Sequence, residues 1–150
     1  MDTETKSAIV GNLRKRYGRN EVLSDVSFTV NPGEIFSLIG QNGSGKTTIM
    51  EILEGIRKYD AGTVLIYGKK PGDRALRERI GIALQDSGAF GNLRISELVD
   101  LHRSFYRNPL KTGAALERVG LSRKGRYLIG TLSGGERQRL NLAVALVSDP

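Results

Sequence analysis

The 150-residue chain contains no cysteine, which excludes disulfides and thiolate metal sites. It also has no apolar run near the roughly 18–20 residues that a helix needs to cross a bilayer. The opening residues, MDTETKSAIVGN, lack the basic-then-apolar layout of a secretory signal. Nothing in these features points outside the cytoplasm. Internal repeats, low-complexity stretches and linkers are missing, as are long blocks of one charge. Lys and Arg number 23 against 16 Asp and Glu, a net charge of +7. The basic residues nonetheless come in short groups (Arg14 to Arg16, Lys69 with Lys70, Arg137 with Arg139) with acids between them. A nucleic-acid face clusters its cations on one stripe, so no nucleic-acid partner is expected. Polyphosphate or a membrane-side location tolerates such a charge.

Apolar and charged fractions of 39% and 26% are those of an ordinary globular protein, and the length suits one domain with a sizeable core. Residues 8–30 read as antiparallel strands, since Val26, Phe28 and Val30 alternate with Ser27 and Thr29. Asn31-Pro32-Gly33 reads as a turn. Residues 35–39, IFSLI, read as a short central strand buried on both faces. A helix is expected from about Thr47, with Ile49, Ile52, Leu53 and Ile56 on one stripe. Residues 63–67 read as another strand, 73–78 as a short helix, and 80–84 as a third apolar strand ending at Gln85. From Ile95 onward the pattern is helical. Leu98, Leu101 and Phe105 form one stripe, and Ala115, Leu116 and Val119 another, closed by Gly120. A last helix starts after Ser133. Alternating strands and helices followed by helices alone argue an α/β core with a helical insertion.

Two motifs carry the chemistry. Gly40-Gln41-Asn42-Gly43-Ser44-Gly45-Lys46-Thr47 fits G-x-x-x-x-G-K-[ST] at every fixed position. Glycines let the backbone fold so that its N–H groups converge on a phosphate. Lys46 reaches the β- and γ-phosphates, Thr47 brings a hydroxyl to Mg²⁺, and the following helix aims its positive end at the same anion. An apolar strand before and an amphipathic helix after complete the context, and Thr48 continues the loop into that helix. The loop alone leaves ATP and GTP both open.

The second motif is LSGGERQR, residues 132–139. Ser133 and Glu136 form a capping box, and Leu140, Ala143, Val144 and Val147 continue one apolar stripe. A well-capped helix accounts for that much. It does not account for Gly134 and Gly135, which disfavour a helix. Their use would be to bare the helix end to an anion.

LSGGERQR resembles the signature motif of the ATP-binding cassette (ABC) family, with Glu136 where Gln is more usual. The likeness runs from about Ser7 to Pro150 and includes the order phosphate loop, Gln after a strand, helical insertion, signature. It implies a P-loop NTPase of α/β class: an ABC ATPase core with an N-terminal antiparallel β subdomain and a helical subdomain over about residues 93–140. It implies ATP and Mg²⁺, and nucleotide contacts from Tyr17 (stacking on adenine), Gly40, Asn42, Gly43, Ser44, Gly45, Lys46, Thr47 and Thr48. Lys46 and Gln85 are the implied catalytic residues, with Thr47 and Gln85 at Mg²⁺. Ser133, Gly134, Gly135 and Gln138 are implied to serve the γ-phosphate of a partner subunit's ATP. The partners implied are a second ABC ATPase subunit, in a homo- or heterodimer, and an integral membrane permease that meets the segment around residues 93–106. That puts the protein peripherally on the cytoplasmic side of the cell membrane. The sole histidine, His102, does not match the family's switch histidine and reads as a surface or half-buried residue.

Residues 54–71, EGIRKYDAGTVLIYGKKP, and 84–99, LQDSGAFGNLRISELV, resemble exporters of the ABC-2, antibiotic-resistance type. The family's next elements would be an apolar strand ending in Asp, a Glu that polarises the attacking water, and the switch His. Asp149-Pro150 reads as the turn into that strand. The sequence is therefore expected to be part of a longer protein and to hydrolyse nucleotide poorly by itself. Other classes are a soluble ABC protein working on ribosomes or DNA, a non-catalytic nucleotide-binding module, and a P-loop kinase. The short interval between loop and signature argues against the first, and LSGGERQR against the last.

Overall fold

The computed structural model describes residues 6–83 and 90–150. The chain divides into two compact units, Met1–Leu76 and Arg77–Pro150.

In the first unit, β1 (Ala8–Tyr17), β2 (Asn20–Val30) and β3 (Ala61–Ile66) form an antiparallel sheet in the order β2-β1-β3. Val10 faces Phe28 on one side and Val64 on the other. Helix α1 (Lys46–Leu53) packs on this sheet, and Val10, Leu13, Leu23, Val64, Ile49 and Ile52 make one buried cluster. Burial of each such side chain stabilises the unit by about 1.5–3 kcal/mol. The ladder slips between Val10 and Leu13. There Asn12 sits at φ 49, its N–H donating to Ser27 Oγ at 2.8 Å and its Nδ2 to Asp25 Oδ1 at 2.7 Å. A short polar side chain that bonds locally suits such a bulge.

Three expectations for this unit fail. Residues 35–39 lie in no strand of the described chain. Ile35 is 96% and Ile39 93% exposed, with Leu38 half-buried and Phe36 stacked on Phe28 at 4.9 Å. No neighbouring strand among the described residues supplies a ladder to this segment, and without one an apolar run is not drawn into a core. Ile56 is exposed because α1 stops at Leu53 and the chain turns at Gly55 with φ +75. The helix expected over residues 73–78 shrinks to a single 3-10 turn, Arg74–Leu76, with Leu76 buried.

The second unit is helical: α2 (Ile95–Arg103), α3 (Thr112–Arg118) and α4 (Gly134–Ala145). Ile95, Leu98, Val99, Ala115, Leu116, Val119, Leu140, Ala143 and Val147 share one core. Gly120 closes α3 at φ +71, with Leu121 N–H returning to Leu116 O at 2.8 Å. Gly81 runs against the end of α4, where a Cβ would stand 2.0 Å from Ala145 O, so that position admits only glycine.

The expected stripe Leu98, Leu101, Phe105 is corrected. Leu98 is buried, but Leu101 is 42% exposed and Phe105, beyond the end of α2, 70% exposed. The buried face is Ile95, Leu98 and Val99, with His102 half-buried beside it. Residues 80–83 lie in no strand, and the rest of that expected strand, with Gln85, lies outside the described residues.

Candidate functional site

The phosphate loop joins the segment after β2 to α1. Gly43 and Gly45 take φ +84 and +88, conformations that side chains disfavour. At Gly40 a Cβ would stand 2.7 Å from Ser44 Oγ, so a side chain there would have to turn the Ser44 hydroxyl aside. Lys46 Nζ donates to the carbonyl oxygens of Gly40 and Gln41, both at 2.7 Å, with Ser44 Oγ at 3.5 Å. The ammonium thus occupies the mouth of its own loop. Its neighbours are neutral carbonyls, which a phosphate can replace with full charge. At the N-cap of α1, Gly45 has no side chain to bond the first-turn N–H groups. Those donors and the helix dipole suit an anion. Asn42, Ser44 and Thr47 are exposed and Thr48 is half-buried.

The described residues contain no group of three or more His, Cys, Asp or Glu able to hold a metal. A Mg²⁺ ion keeps several waters and binds through few protein ligands plus substrate phosphates. The exposed Thr47 in the first turn of α1 fits that mode.

Tyr17 ends β1 and is 40% exposed. Lys15 Nζ lies 5.5 Å and Arg57 Cζ 5.3 Å from its ring centroid, close enough for cation–π attraction. Lys15 is tied to Asp60 at 2.9 Å and Arg57 to Glu51. The Arg57 hydrogen bond holds the Glu51 carboxyl below its usual range. Sequence reasoning missed both cations, because they reach Tyr17 through folding and not through spacing.

The signature lies in the second unit. Ser133 caps α4 in extended conformation, φ −64 and ψ 162. Its Oγ accepts from Glu136 N–H at 3.3 Å. Glu136 Oε2 in turn accepts from Ser133 N–H and Ser133 Oγ, each at 3.0 Å. The expected capping box is therefore present. Lys124, at the end of the 3-10 turn Ser122–Lys124, pairs with Glu136 Oε1. Lys124 foremost, then the Ser133 N–H and hydroxyl, push the Glu136 carboxyl down to about 2. Gly134 and Gly135 are exposed, and a Cβ on either would meet nothing within 4 Å. Packing does not demand these glycines. They leave the helix end bare, as an approaching phosphate requires. Gln138 is exposed one turn further along α4. Loop and signature thus fall in different units of the chain.

The family model described as "ABC transporter" matches residues 23–150. The chain is 36% identical over 146 residues to the Nod factor export ATP-binding protein I of Burkholderia orbicola, covering 93% of this chain and 48% of that one. It is 40% identical over 139 residues to the zinc import ATP-binding protein ZnuC of Cereibacter sphaeroides, covering 93% and 54%. It therefore spans about half the length of these relatives. Its fold matches that of cbiO1 from Clostridium perfringens, part of the ABC transporter complex cbiONQ. The TM-score is 0.82 at 26% identity, over 97% of this chain and 63% of that one.

Proposed function

This chain belongs to the ABC transporter family, and on that premise we propose that it is the ATP-binding, ATP-hydrolysing part of an exporter that drives a separate membrane permease. The observation that carries this reading is the pairing of two anion-ready helix ends in one chain. One is α1, behind a loop whose glycines and Lys46 converge on one point. The other is α4, whose Gly134 and Gly135 stand open.

In this reading the loop N–H groups and Lys46 hold the β- and γ-phosphates. Gly40, Asn42, Gly43, Ser44, Gly45 and Thr48 shape the cradle, and Tyr17 offers its exposed ring to the adenine. Thr47 and Gln85 would hold Mg²⁺, which neutralises charge that develops on the phosphates. Ser133, Gly134, Gly135 and Gln138 would meet the γ-phosphate of a second subunit, so each ATP lies between one chain's loop and the other's signature helix. Closure of the pair would then move the permease, with residues 93–140 forming the helical subdomain that meets it. No described helix is long and apolar enough to cross a membrane; the peripheral position on the cytoplasmic side belongs to this reading through the family resemblance.

Export is the direction favoured by the likeness of residues 54–71 and 84–99 to ABC-2 type exporters. The relatives include both an exporter and an importer by name. The test is the full polypeptide purified with its permease and assayed in inverted vesicles. ATP-dependent uptake into inverted vesicles, lost in Lys46→Ala, supports export. Uptake only into right-side-out vesicles overturns the direction, and Lys46→Ala with unchanged ATPase activity overturns the site.

A further inference from the structure

The family's usual Gln at the fifth signature position is neutral, whereas Glu136 puts a carboxylate in the first turn of the helix expected to receive a phosphate. A bare carboxylate there opposes the helix's partial positive charge and repels an incoming anion. Glu136 is not bare. Its Oε1 is paired with Lys124, and its Oε2 is filled by the N–H and hydroxyl of Ser133. The side chain is about five-sixths covered, at 17% exposure, so the pair is partly shielded from solvent screening.

We propose that Lys124 is a positioning residue of the signature site: it neutralises Glu136, which would otherwise set an unpaired negative charge at the head of α4, where a partner's phosphate is expected. This deepens the reading of the signature helix end as a partner-phosphate contact and rests on it. The two residues act as one unit. Lys124 supplies the charge that an acidic signature lacks, and Glu136 in turn fixes the cap, accepting from Ser133 N–H and Oγ while donating its own N–H to that oxygen. Lys124 is not on α4 and has no role in the cap of that helix beyond this carboxylate.

The test is steady-state ATPase activity of the full polypeptide in four forms: wild type, Lys124→Met, Glu136→Gln, and the double variant. Lys124→Met is expected to lower kcat/KM for ATP about fivefold to tenfold by unmasking the carboxylate. In the Glu136→Gln background the same change is expected to alter kcat/KM less than twofold, because no charge is left to compensate. Lys124→Arg adds a readout that lost packing does not give: it keeps the positive charge beside Glu136 and is expected to hold kcat/KM within about twofold of wild type. An equal loss from Lys124→Met in both backgrounds, or no loss in either, overturns the proposal. Ser133→Arg is run alongside. If it retains full activity, the reading of the signature fails. If it is inactive while Lys124→Met is silent, only the role of Lys124 fails.

Discussion

Gly45, the last glycine of the phosphate loop, sits directly on Leu23 of β2: a Cβ at Gly45 would stand 2.6 Å from Leu23 Cδ2 and 3.1 Å from Val22 O. The loop is therefore seated on the sheet core and not merely tethered to it. Gly45→Ala faces both this contact and φ +88, a strained conformation for any side chain at about 1–3 kcal/mol. The variant is expected to melt several degrees below wild type and to lose most nucleotide affinity. Gly68→Ala is the control, at φ +73 with nothing within 4 Å of the added carbon. It carries backbone strain alone and is expected to keep affinity. Differential scanning calorimetry and titration with a fluorescent ATP analogue check both. Equal affinity loss in the two variants would show that strain, not seating, decides.

Glu136 gives the helical unit a specific acid response. Its carboxyl falls from 4.5 to about 2 in the folded chain, through Lys124 first and Ser133 second. The unfolded chain thus binds the proton at a higher pH than the folded one. The resulting stability is complete above about pH 4.5 and is lost as pH falls toward 2. Wild type is expected to be more stable than Glu136→Gln near neutral pH, with the gap closing across that window. Urea titrations followed by circular dichroism from about pH 6 to about pH 2.5 measure it. A gap that does not change with pH would mean that the cap survives without the charge.

Core packing in the helical unit centres on α4, where Leu140 is fully buried among residues of α2 and α3. Leu140→Ala is expected to destabilise by about 2–5 kcal/mol, transfer and cavity terms together. Leu142→Ala, at a half-exposed site on the same helix, is expected to change stability by less than about 1 kcal/mol. Equal losses in chemical denaturation would contradict the assigned face of α4.

These contrasts mark where the chain was legible. The loop over residues 40–47 and the cap Ser133 with Glu136 are local devices, so spacing alone finds them. The stripe Leu140, Ala143, Val147 follows from helical period for the same reason. Residues 35–39 fail because a strand is a property of its neighbours, and none among the described residues pairs with it. Phe105 fails because apolar spacing does not say where a helix ends, and Leu101, inside α2, because spacing does not say which face the rest of the unit covers. The pairs Lys124 with Glu136, and Arg57 with Tyr17, bring together residues with no spacing rule to announce them.

The proposed sharing of the site between two subunits would leave a signature that neither single variant provides. Lys46→Ala removes the ammonium from the loop, and Ser133→Arg fills the opening left by Gly134 and Gly135. Each homodimer is expected to be inactive, since every composite site then lacks one half. In a two-fold dimer the same patch recurs on both subunits. A mixed dimer therefore has one site in which the intact loop of the Ser133→Arg chain meets the intact signature of the Lys46→Ala chain, and another with both halves damaged. Random exchange makes about half of the dimers mixed, so an equal mixture is expected to recover up to roughly a quarter of wild-type ATPase activity. Recovery that rises with subunit exchange time supports sharing in trans. A mixture that stays inactive after exchange has been verified by mass would assign loop and signature to the same chain's nucleotide.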